Sequence, residues 1–122
     1  MKIAITSKGK ELGSEIDPRF GRCRYFLIVD LETLKFEAIE NGSSMAMGGA
    51  GPQASQTVSK LGAEILITGN VGPNAFQALK ASGIKVMIGA SGTVEDMIAK
   101  FGRGELEEIS NASVGSHSGM GI

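Results

Sequence analysis

The chain has 122 residues, 42% of them hydrophobic and 20% charged, and carries a net charge of −1 at neutral pH. That length suits one domain with a single hydrophobic core. The charge balance and a pI near 5.8 give no electrostatic basis for binding nucleic acid or an acidic membrane, and no apolar run approaches a spanning helix.

Lys2-Ile3-Ala4-Ile5-Thr6 reads as a short buried strand, and with polar residues following it there is no apolar core of a signal peptide. The single cysteine, Cys23, forms no internal disulfide, so a reducing, cytoplasmic setting is expected. Residues 7–24 form a long loop, because Asp17-Pro18 and Gly21 oppose regular structure. Tyr25-Phe26-Leu27-Ile28-Val29 and Phe36-Glu37-Ala38-Ile39-Glu40 are strands joined closely enough to pair as an antiparallel hairpin. Residues 41–53 form a second irregular loop, rich in Gly, Ser and Met.

The period then changes from that of strands to that of helices. Ala54, Val58 and Leu61 share one helical face, and Gly62 stops the helix. Glu64-Ile65-Leu66-Ile67-Thr68 is a buried strand, and Pro73 opens a helix that carries Phe76 and Leu79 up to Gly83. Lys85-Val86-Met87-Ile88 is the last strand. Thr93 is an N-cap for a helix that buries Val94, Met97, Ile98 and Phe101 before Gly102 ends it. Ile3, Ile5, Leu27, Val29, Ile65, Ile67, Val86 and Ile88 are the expected core. The composition divides the chain into an α/β domain over residues 1–106 and a flexible Ser/Gly-rich tail over 107–122.

Right-handed crossovers make the first, fourth and fifth strands parallel. The loops 7–24, 41–53, 69–73 and 89–93 then share one sheet edge with all three helix N-termini. Open α/β sheets bind ligands at such an edge, and helix N-termini favour anions. Arg19 and Arg22 add forked cationic donors, and Cys23, Met45 and Met47 are soft sulfur donors of the kind that suit copper(I) or iron–sulfur species. Each residue also has a plainer reading. Cys23 directly precedes a strand and fits burial, the methionines fit an apolar patch, and the arginines fit solvent or pairing with Asp17 or Glu15. His117, the single imidazole, reaches the edge only if the tail folds back.

Taken together, Ile3-Ala4-Ile5, Asp17-Pro18-Arg19-Phe20-Gly21-Arg22-Cys23, Phe26-Leu27-Ile28-Val29-Asp30, the Gly-rich stretch through Gly51 and Ile67-Thr68-Gly69-Asn70-Val71-Gly72-Pro73-Asn74-Ala75 resemble a known family. The chain is similar to the dinitrogenase iron–molybdenum cofactor biosynthesis family over about residues 1–106. The resemblance implies a ribonuclease-H-like, three-layer α/β fold with a five-stranded mixed sheet in order 3-2-1-4-5. It also implies binding of iron–sulfur or molybdenum/iron–sulfur-type clusters. Nitrogenase-associated members tend to carry a histidine just before the Phe-Gly pair, where this chain has Arg19. Arginine holds an anion but is not an ordinary metal ligand, so the departure points away from a direct nitrogenase role.

The residues expected at a cofactor site are Arg19, Phe20, Gly21, Arg22, Met45, Met47, Gly48, Gly49, Asn70 and Gly72, with Cys23 and His117 as metal-ligand candidates. The expected function is a non-catalytic carrier of a metal–sulfur cluster, serving a cofactor-assembly or acceptor protein as a monomer or weak homodimer. One cysteine and one histidine cannot supply the usual four protein ligands of a structural metal site. The alternative is a small anion- or nucleotide-binding regulatory module that uses the helix N-termini. Two-metal phosphoryl chemistry needs clustered carboxylates, and Lys2–Thr6, Ile65–Thr68 and Val86–Ile88 supply none.

Overall fold

The computed structural model describes residues 1–42 and 49–110. Its elements run β1 (Lys2–Ser7), β2 (Tyr25–Asp30), β3 (Phe36–Glu40), α1 (Ala50–Lys60), β4 (Ala63–Ile67), α2 (Pro73–Ala81), β5 (Lys85–Met87) and α3 (Val94–Gly102). The five strands form one sheet in the order β3-β2-β1-β4-β5. β2 runs antiparallel to β1 and β3, whereas β1, β4 and β5 are parallel. This is the mixed sheet and strand order expected.

Strand alternation divides the core into two layers. Ile3, Ile5, Leu27, Val29, Ile65 and Ile67 project to one face and pack with Val94 and Met97 of α3. Ala4, Phe26, Ile28, Leu66 and Val86 project to the other, beneath Ala54 and Val58 of α1 and Phe76 and Leu79 of α2. β1 lies at the centre, covered on both faces, and from Ile3 to Ser7 every residue is buried. Seven of the eight expected core residues are buried; Ile88 lies just past β5, where the sheet covers it only in part.

Pro73 stands in the first turn of α2 without removing a needed hydrogen bond. Thr93 caps α3 and forms a reciprocal box with Asp96. Of the segment expected as a tail, residues 107–110 are described. Glu108 bridges Met87 antiparallel, and the Ile109 amide donates to Val86 O at 2.9 Å, so residues 107–110 line the edge of β5. The remaining tail, including His117, lies outside the described residues, as do Met45, Met47 and Gly48. Among the described residues, no helix is long and apolar enough to cross a membrane.

Candidate functional site

The sheet edge beyond the C-terminal ends of β1 and β4 is divided by the long β1–β2 loop. Its first part closes α3. Val94 N–H donates to Ser14 O and Glu95 N–H to Leu12 O, both at 2.9 Å, and Asp96 N–H donates to Thr93 Oγ1 at 3.2 Å. The first amides of α3 are thus satisfied, and Glu95 and Asp96 place acid in its first turn. All three helix N-termini were expected to serve the site; that of α3 is occupied by this loop.

The second part of the loop, from Asp17 onward, turns toward α1 and α2. Three glycines let the backbones meet there. A Cβ on Gly69 would lie 2.6 Å from Pro18 Cα, and one on Gly21 would lie 2.8 Å from Gly51 N. A Cβ on Gly51 would lie 2.7 Å from that of Ala75. Asn70 N–H donates to Pro18 O at 2.9 Å, which makes Arg19 and Asn70 bridge partners. Buried Asn41 secures the loop from below, its Nδ2 donating to Gly21 O at 3.1 Å and Cys23 O at 2.8 Å.

These contacts frame a cleft of about 640 Å³ between residues 18–22, 49–52 and 70–75. Among its described lining residues, Arg19 and Arg22 are the charged ones, and no carboxylate is present. The N-termini of α1 and α2 open onto it through Gly49 and Gly72, neither of which supplies a side-chain cap, and neither first turn holds an acid. Each such terminus carries roughly half a positive charge. Pro18, Pro52, Val71, Pro73 and Ala75 give the wall apolar surface as well. The arrangement combines positive electrostatic character with apolar wall.

Residues 1–104 match the model of the family described as dinitrogenase iron-molybdenum cofactor, which spans most of the chain. The chain belongs to this family. It is 41% identical to the apo form of the orange protein from Desulfovibrio gigas, covering 91% of this chain and 94% of that one, with a TM-score of 0.89. It is 45% identical to a Thermotoga protein whose description relates it to NifB, over 88% and 91% of the two chains, with a TM-score of 0.78. An uncharacterized protein of Methanocaldococcus jannaschii is 32% identical over 89% of this chain and 92% of its own length. The family's description names the iron-molybdenum cofactor of dinitrogenase.

In this member of the family, Arg19, Phe20, Gly21, Arg22, Gly49, Asn70 and Gly72 all line one cleft. Phe20 contributes little exposed surface, since its ring packs at 5.9 Å on Phe26. Arg19 pairs with Asp17, as one of its plainer readings had it: Nε lies 3.4 Å from Asp17 Oδ1, which also accepts Arg19 N–H at 3.2 Å. Cys23 is absent from the cleft wall. It is fully buried among Phe20, Phe26, Ala54 and Val58. Burial pushes its thiol well above the usual range, and the nearby Asp17 carboxylate adds to this, outweighing the Asn41 hydrogen bond and the Arg19 charge. Among the described residues, no group of three or more His, Cys, Asp or Glu is placed to hold a metal. The sequence reading missed Asn41 as the tie beneath the loop; the signal was an amide side chain at the end of β3, next to Gly42. It also missed the part of Asp17 that lies inside the fold.

Proposed function

We propose that this protein is a non-catalytic carrier that holds an anionic metal–sulfur cluster, or its precursor, in the cleft between the Arg19–Arg22 turn and the N-termini of α1 and α2. The observation that carries this reading is a cleft with two open helix N-termini and two arginines, and no carboxylate among its described lining residues. Sulfide-rich clusters are large, weakly hydrated anions, which suits backbone amides, guanidinium groups and apolar wall together. Holding by such contacts, without thiolate anchorage from the buried Cys23, favours transfer to a cofactor-assembly or acceptor protein. The layered mixed sheet supports the ribonuclease-H-like expectation.

The test is anaerobic reconstitution with ferrous iron, molybdate and sulfide, followed by desalting and analysis of metal and acid-labile sulfide. A stoichiometric, coloured cluster is expected in the wild type. Occupancy should fall several-fold in Arg19→Ala and Arg22→Ala and stay unchanged in His117→Ala. Failure of the wild type to retain metal and sulfide together would end the carrier reading. Thermal stabilisation by nucleotides in its place would favour the regulatory module.

A further inference from the structure

The carrier reading leaves Asp17 without a task, yet its position is unusual. Its side chain is only 4% exposed, directly beneath the cleft wall, while that of its partner Arg19 is 68% exposed. The backbone around Asp17 is fixed: its N–H donates to Thr6 O at 3.0 Å, and Thr6 Oγ1 donates to Asp17 O at 2.6 Å. Oδ1 accepts from both the amide and Nε of Arg19, which fixes the direction of a side chain that stays largely exposed. A carboxylate in this place does two opposed things. It orients an arginine toward the cleft, and it sets a negative charge next to whatever anion enters.

Orientation alone does not require a charge. Arg19 N–H and Nε each need an acceptor, which an amide oxygen supplies equally well. The carboxylate is therefore more than the geometry demands, and its excess acts against the cargo. We infer that Asp17 is an affinity-limiting residue: its buried charge weakens the hold of the cleft on an anionic cargo, and does so more as the cargo becomes more negative. The inference rests on the carrier reading for the location of the cargo. It deepens that reading by making the cleft selective for cargo charge, so that a more reduced cluster gains less from the arginines and helix ends than they alone would give.

Hexacyanoferrate provides a probe independent of cluster assembly. Ferricyanide and ferrocyanide share an octahedral shape and differ by one unit of charge. Their binding to wild type and Asp17→Asn is measured by calorimetry at fixed low ionic strength, with circular dichroism and thermal melting to confirm folding. A unit charge acting on a trianion across about 10 Å of water-like medium corresponds to about tenfold in affinity. Asp17→Asn should therefore bind ferricyanide about tenfold tighter, and the gain should roughly double for ferrocyanide because it scales with ligand charge. Unchanged or weaker binding in the folded variant overturns the inference, as does a gain of equal size for the two ligands. Absence of measurable binding in both proteins also overturns it. Should Asp17→Asn not fold, Asp17→Ser, which retains an oxygen acceptor, is held to the same outcomes. Failure of the carrier reading is separate: the wild type would not retain a cluster, whatever the hexacyanoferrate ordering.

Discussion

Cys23 shows how one residue can look like chemistry in a sequence and like packing in the fold. It sits between Arg22 and Arg24, a setting that lowers a thiol pKa when the side chains share a surface. The structure instead buries the thiol in the core layer that also holds Phe20, Phe26, Ala54 and Val58, and desolvation outweighs the nearby positive charge. The sign of the pH effect follows. The folded thiol titrates above its unfolded counterpart, so its contribution to stability is complete below the unfolded pKa and is lost as pH rises beyond about 9. Denaturant melts at pH 8 and pH 10 should show a larger alkaline loss in the wild type than in Cys23→Ala, by about 1 kcal/mol. Thiol reagents should label Cys23 only as the protein unfolds, and Cys23→Ala should retain cluster. That Asp17 precedes an arginine was plain in the sequence. That it lies inside, behind Arg19, depends on the Thr6 contact with the following turn of chain, which no local pattern records.

At the scale of elements, the three helices start in different ways. α3 is closed by Thr93, Asp96 and two carbonyls of the β1–β2 loop, whereas α1 and α2 have glycine N-caps facing the cleft. Thr93→Ala should cost about 1 kcal/mol in a urea melt and leave cluster occupancy intact. The glycine contacts behave in the opposite manner. Gly69→Ala forces a methyl group onto Pro18 and should destabilise by about 1–3 kcal/mol while lowering occupancy. Gly13→Ala, with nothing within 4 Å, is the control and should leave occupancy unchanged. The capping of α3 was readable from Thr93 and its neighbours, and so was the helix opening at Pro73. That the loop from Leu12 to Ser14 would seat on α3 was not readable. The bonds concerned are main-chain contacts between segments some 80 residues apart, with no demand on side-chain type.

Across the whole molecule, strand alternation and the crossover rule were sufficient to place the loops on one edge. They could not tell which of those loops would touch, because contact is decided by side-chain volume at a few glycines. The end of the domain was likewise blurred. Composition changes at residue 107, but backbone pairing with β5 continues to Ile109. Ending the chain after residue 106 should therefore uncover the β5 edge and the side of Ile84 and Val86. The expected result is a lower melting temperature with cluster binding retained, since the cleft lies elsewhere; the Ile109 amide in the full chain should exchange slowly with solvent.

The cleft is assembled from residues 18–22, 49–52 and 70–75, pieces that meet only after β4 has slotted in beside β1. A growing or unfolded chain consequently presents no partial version of it. On the proposed carrier function, cargo would be received only by a finished molecule, and each occupied molecule would be removed from the unfolding equilibrium. At a cargo concentration 100 times the dissociation constant, that linkage adds about 2.7 kcal/mol to the apparent stability. Loaded and empty protein should thus differ in lifetime against proteases, and under the proposed function cargo supply would set how long the protein persists.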